Sequence, residues 1–165
     1  MAAYHLAQCN VGRVRAPLAS PLLAGFVAAL EPINALADGA PGFVWRLQTE
    51  DGDATAIRAF DDDMLLVNMS VWESIETLAA FTYTTAHRDV MRRRRQWFEK
   101  LADAHLVLWW VGAGALPTIS DAKDRLQRLR RHGPSREAFT FRSLFPAPDA
   151  TEESPPIADE WFCPT

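Results

Sequence analysis

The sequence predicts an α+β fold of the ferredoxin-like βαββαβ type: a four-stranded antiparallel sheet with its helices on one face, plus a C-terminal helix and tail. Three observations carry that expectation. Apolar residues alternate at period two in separated stretches and shift to spacings of three and four between them. Proline, glycine and acidic clusters punctuate the junctions. A chain of 165 residues, 48% hydrophobic with six tryptophans and nine phenylalanines, can bury one domain's core.

Residues 4 to 14, YHLAQCNVGRV, read as the first strand, with Ala7, Cys9 and Val11 on one face and Gln8 and Asn10 on the other. Ser20 and Pro21 then suit the N-cap and first position of a helix. Leu22, Leu23, Phe26, Val27, Leu30 and Ala37 give its stripe, and Pro32 within it predicts a kink or a restart. Asp38-Gly39 and Pro41-Gly42 end that helix before the second strand, FVWRLQT. The stretch DATAIRAF fits either a short strand or an irregular excursion, and Asp61 to Asp63 read as a solvated turn.

The third strand, from Met64 to Trp72, has Leu65, Val67, Met69 and Val71 on one face and Asn68, Ser70 and Trp72 on the other. Ser74 is an N-cap for a helical stripe of Ile75, Leu78, Ala79, Thr82 and Ala86, which continues through Val90, Met91, Trp97 and Leu101. The fourth strand, HLVLWWVGAG, is apolar on both faces and therefore central in expectation. A last helix, ISDAKDRLQRLRRH, stops at Gly133-Pro134, and AFTFRSLF closes the fold as a strand or an extended cover.

Residues 1–145 make the domain with its helical extension, and 146–165 form an acidic, proline-rich tail expected to be flexible. The net charge of -4 comes mostly from that tail, so the body is near neutral despite the arginines at Arg92 to Arg95 and Lys123 to Arg131. Such a balance argues against a nucleic-acid partner. Cys9 and Cys163 make neither a disulfide framework nor a metal spacing, and His5, His105 and His132 do not cluster with His87. With no signal-peptide pattern and no apolar run near the roughly 20 residues of a membrane span, the expected location is cytoplasmic.

The two sheet faces differ. Ala7, Cys9, Val11, Leu65, Val67, Met69 and Val71 suit the side beneath the helices. Gln8, Asn10, Arg46, Gln48, Asn68, Ser70 and Trp72 are too polar for a second core and too aromatic for plain solvent. That face is expected to wall a pocket for a small organic molecule, closed by the sheet of a second subunit in a homodimer. An exposed sheet with scattered polar groups is the plainer alternative.

The stretches GFVWR, LLVNMSVWES, TTAH, LVLWWV and RRHGPSREAFTF look like a family of uncharacterised bacterial proteins. That family resembles the dimeric α/β-barrel superfamily, which includes antibiotic-biosynthesis and heme-degrading monooxygenases. The resemblance implies subunits packed sheet to sheet, each with its own pocket. Its cofactor-free members oxidise phenolic substrates with oxygen, using Asn, Trp and Arg side chains, the residue types of Asn10, Asn68, Trp72 and Arg46. Heme-degrading members pair a first-strand Asn with a helical Trp and His. Asn10 and His87 match two of these, but Phe81 and Tyr83 stand where the Trp is expected, so neither heme nor another cofactor is implied.

His87 titrates near neutrality and is the candidate acid-base group, with Asn10 beside it in catalysis. Its plainer role is to cap a helix C-terminus. Arg94 interrupts the apolar stripe and either snorkels past Trp97 and Phe98 or clamps an anion. Arg46, Asn68, Trp72, Arg94, Gln8 and Ser70 are the expected substrate-binding residues. The sequence thus supports a monooxygenase-like enzyme for a small phenolic compound, or a non-catalytic binding module with the same pocket.

Overall fold

The protein was analysed as a computed structural model, which describes residues 2–150. Four strands, β1 (Tyr4–Arg13), β2 (Phe43–Arg46), β3 (Leu65–Trp72) and β4 (Leu106–Gly112), form one antiparallel sheet in the order β2-β3-β1-β4. This is the ferredoxin-like order, with β1 and β3 at the centre. β4, expected to be central, lies at the edge. Its outer side is covered at one point, where Leu108 and Phe139 exchange backbone hydrogen bonds of 2.8 Å each. The segment AFTFRSLF therefore contributes a single bridge and apolar cover.

The register sets Leu6 opposite Trp72, Gln8 opposite Ser70 and Asn10 opposite Asn68. Side-chain alternation then separates two faces. One holds Ala7, Cys9, Val11, Val67, Met69, Val71, Val107 and Trp109, all buried. The other holds Leu6, Gln8, Asn10, Leu66, Asn68, Ser70, Trp72 and Leu108.

A 3-10 turn at Pro21–Leu23, capped by Ser20, leads into α1 (Ala24–Asp38). Pro32 neither ends nor restarts this helix. It sits on the exposed side, where the carbonyl left without a donor can turn to water. The run after β3 is two helices, α2 (Ile75–Thr82) and α3 (Thr85–Trp97), separated at Tyr83 and Thr84. Ser74 and Thr77 form a reciprocal capping box at the start of α2. Gly42, at φ 78°, lies so close to Thr77 that any side chain there would overlap it, which ties the entry of β2 to that cap. The last helix, α4 (Ile119–His132), begins with Thr118 and Asp121 capping each other.

The layering corrects the expected face assignment. α4 lays Ala122, Leu126 and Leu129 on the apolar face, joined by Ile57, Ala59 and Phe60 from the irregular excursion before β3. The first three helices cover the opposite, polar face. Its Trp72 end packs with Ala37, Ile75, Leu78 and Phe81, and its Leu66 end packs with Leu23 and Trp97. The reason is stoichiometric: two faces need cover, and α4 supplies an apolar stripe that matches the wholly apolar one. Both faces are thus occupied by the chain's own elements, so the polar face is not a seam open to a second subunit's sheet.

The 3-10 turn and α1 together run 18 residues at mean hydropathy 1.2, apolar enough by length and composition to pass as a membrane span. One side of this stretch packs on the fold, where Phe26 meets Trp97 and Phe98 at 5.7 and 5.1 Å between ring centroids. Residues 151–165, with Trp161 and Phe162, lie outside the described residues.

Candidate functional site

The polar face carries a continuous strip of hydrogen-bonded side chains. Gln8 Nε2 donates to Asn68 Oδ1 at 2.7 Å and to Ser70 Oγ at 2.8 Å. Trp72 Nε1 donates to the same Ser70 oxygen at 2.8 Å. Gln8, Ser70 and Trp72 are buried, Asn10 is half-buried and Asn68 is exposed, so the strip opens from a dry end toward solvent. Period-two alternation on paired strands is what brings these five side chains to one surface.

The dry end is aromatic. Phe81 stacks on Trp72 with centroids 5.2 Å apart and planes 27° apart, while Phe43 meets the indole edge-on at 5.4 Å. His87 lies against Phe81 at 5.2 Å and its Nδ1 is 3.1 Å from the Thr82 carbonyl oxygen. A carbonyl can only accept, so Nδ1 carries the proton and Nε2 keeps the lone pair. Burial pushes the His87 imidazole below its ordinary range, and the Thr82 bond partly opposes that shift. At neutral pH the side chain is a neutral base.

Arg94 stands at the other end. It follows His87 by seven residues, two turns or about 10 Å along α3, and so shares its face. A Cβ built at Gly12 would sit 2.6 Å from Phe98 Cδ1 and 3.5 Å from Arg94 Nη2. The absent side chain at Gly12 thus lets Phe98 and Arg94 lie on the sheet, where the guanidinium sits 5.4 Å from the Phe98 centroid. Burial first, then the nearby charge of Arg94, pushes the His105 imidazole down as well. His87 of α3 thus lies against the aromatic that stacks on Trp72, and Arg94 of the same helix lies at Gly12, two strand positions beyond Asn10.

Arg46 does not join this group. Its register opposite Ser70 puts it on the polar face, but its side chain turns to the end of α1. Nε and Nη2 donate to Asp38 Oδ1 and Oδ2 at 2.7 and 3.2 Å, and Nη1 donates to the Gly52 carbonyl at 2.7 Å. The arginine expected to hold an anion is a brace between a helix end and a turn.

Residues 5–155 match the family described as Domain of unknown function (DUF3291). The chain belongs to the DUF3291 family. No curated protein matches it. Among solved structures, it is similar to a putative antibiotic biosynthesis monooxygenase from Nitrosomonas europaea, with 15% identity, a TM-score of 0.46, and 72% of this chain and 96% of the other covered. It is also similar to SnoaB, a cofactor-independent oxygenase from Streptomyces nogalater, with 16% identity, a TM-score of 0.43, and 69% of this chain and 97% of the other covered.

In this DUF3291 protein the sequence-predicted residues Gln8, Asn10, Asn68, Ser70, Trp72, His87 and Arg94 gather on or over one face. Phe81 and Gly12 were missed. The first reads as an ordinary member of the α2 stripe, and the second as one more strand residue until α3 is placed above it. Among the described residues no three metal-ligating side chains cluster.

Proposed function

We propose that the polar strip, at its solvent-facing Asn10 and Asn68 end, binds a planar, oxygen-bearing aromatic molecule and that His87 takes its phenolic proton. The observation that supports this reading is a hydrogen-bonded strip of Gln8, Asn68, Ser70 and Trp72 that ends on Phe81, against which a neutral imidazole lies. Trp72 and Phe81 offer the flat apolar surface. The Asn68 amide nitrogen, which the Gln8 bond does not use, and Asn10 offer donors for the ligand's oxygens. A neutral imidazole is the form needed to accept a proton, and a phenolate yields an electron more readily than a phenol. Oxidation of the bound phenolate by molecular oxygen, without a cofactor, is the fuller form of this proposal.

Exposure of Asn68 favours a second reading, a binding module whose ligand is released unchanged, because a solvent-facing site does not exclude water from a reacting centre. A panel of one- to three-ring phenols, followed by calorimetry and by an oxygen electrode, separates the two. Asn10→Ala and Asn68→Ala should each weaken binding about tenfold, one lost hydrogen bond to a ligand oxygen. His87→Gln should slow oxygen uptake while binding is kept. Binding without oxygen uptake in the unsubstituted protein supports the module, and unchanged binding in both asparagine variants removes the polar strip from either reading.

A further inference from the structure

α1 inverts the usual pattern of a surface helix. Ala24, Val27, Ala28, Glu31 and Ala35 share its outer face at helical spacing, and all are exposed, with Glu31 the one charge among them. Leu22, Val27 and Leu36 are 50%, 43% and 44% exposed. The neighbouring helix surface is of opposite character: α3 exposes Arg88, Arg92, Arg93 and Arg95 against the single acid Asp89. The two surfaces adjoin, because Gly25 of α1 faces Arg93 and Trp97 of α3. An apolar stripe beside a basic one calls for a cover that is both aromatic and acidic.

We propose that the chain's own C-terminal segment, residues 151–165, docks along this α1–α3 seam. Its sequence, TEESPPIADEWFCPT, combines Glu152, Glu153, Asp159 and Glu160 with Ile157, Trp161 and Phe162, and contains no lysine or arginine. The reach is sufficient. Just before the segment, the Asp149 carboxylate accepts from the Ala3 N–H at 3.2 Å, at the end of the sheet where Leu6 pairs with Trp72. Ala37, near the C-terminus of α1, packs at that same end. Fifteen extended residues reach about 50 Å, against about 22 Å for the length of α1. Running back along α1, the segment brings Asp159, Glu160, Trp161 and Phe162 toward Val27 and Leu22, beside Arg92 and Arg93. Pro155-Pro156 favours the extended conformation this path needs.

The cysteines provide the test in the full chain. Cys9 is buried with its thiol pushed up to about 12, so a maleimide nitroxide near neutral pH attaches to Cys163. In isotope-labelled protein, the amides of α1 and α3 should lose more than half their intensity relative to the reduced nitroxide. Those of α4 should keep theirs. High salt should restore much of the lost intensity on the unsubstituted chain, and Arg92→Glu with Arg93→Glu, or Trp161→Ala with Phe162→Ala, should restore it too. Broadening centred elsewhere, or none on α1 and α3, overturns the proposal. So does broadening that appears only between nitroxide-bearing and isotope-labelled molecules in a mixed sample, which assigns the cover to a second copy.

Discussion

Cys9 and Gln8 are neighbours in sequence, yet they face opposite environments. Cys9 lies among Val67, Val107, Ala122 and Leu126 in a dry layer beneath α4. Gln8 spends both hydrogens of its amide nitrogen on Asn68 and Ser70 beneath a different set of helices. The apolar face is filled by side chains that match it, so its loss of any methylene opens a cavity. The polar face is covered unevenly: Trp72 is 1% exposed at one end of the strip while Asn68 is exposed at the other. The first face is apolar throughout, and the sheet's hydrogen-bonding side chains lie on the second.

That contrast breaks most visibly on substitution. Leu126→Ala, beneath α4, should cost about 2–5 kcal/mol. At ~2–4 °C per kcal/mol this lowers the melting temperature by roughly 4–20 °C in calorimetry. Asn68→Ala should cost only about 1 kcal/mol, the loss of one Gln8 N–H acceptor at the solvent-facing end of the strip, while it weakens ligand binding. Equal melting losses in the two variants would erase the distinction between the faces.

Ser70→Ala sharpens it. Ser70 is buried, and its oxygen serves two donors, Gln8 Nε2 and Trp72 Nε1. Leaving the indole N–H without an acceptor should cost about 1–3 kcal/mol, read as a lower denaturant midpoint at constant slope. Arg46→Ala comes next, at about 1 kcal/mol, because its bidentate pairing with Asp38 is half in solvent. It should leave binding of a phenol unchanged, since the guanidinium is committed to Asp38 and the Gly52 carbonyl.

The smallest expected effect is a pH slope. Burial lowers the folded-state pKa of His87, with the Thr82 bond in partial opposition, and unfolding returns the imidazole to its ordinary 6.5. Below that pH the unfolded chain binds more protons than the folded one. The associated stability is complete above about 6.5 and declines as pH falls through the lowered folded value. His105, shifted in the same direction, adds to the slope. Melting temperatures in mildly acidic buffers should fall less steeply for His87→Gln than for the parent.

The strip itself was legible because period two is unambiguous over paired strands: Gln8, Asn10, Asn68, Ser70 and Trp72 could not be separated once the strands were read. Which helices lie over it was not legible. That depends on α4 matching the apolar face, a choice between two covers that no local pattern records. Arg46 was misassigned for a related reason. Strand parity gives the face of its Cβ, but the long side chain follows the nearest carboxylate, which α1 happens to end beside. Pro32 predicts a kink or a restart by its chemistry alone, but α1 runs on through it, with the freed carbonyl on the exposed side where water can reach it. His87 and Arg94 were read separately, although their spacing of seven already placed them on one face of α3.

Side-chain nuclear magnetic resonance on the full chain, titrated with a panel of two- and three-ring phenols such as 1-naphthol, reports on both faces in one experiment. The Trp72 indole N–H and the side-chain amides of Gln8, Asn10 and Asn68 mark the polar strip, and the methyls of Met69, Val107 and Leu126 mark the apolar layer on the other side of the same sheet. The structure predicts saturable shifts of the first set with the second set unmoved. Shifts confined to the methyls beneath α4, or a Trp72 indole unmoved by every phenol in the panel, would contradict it.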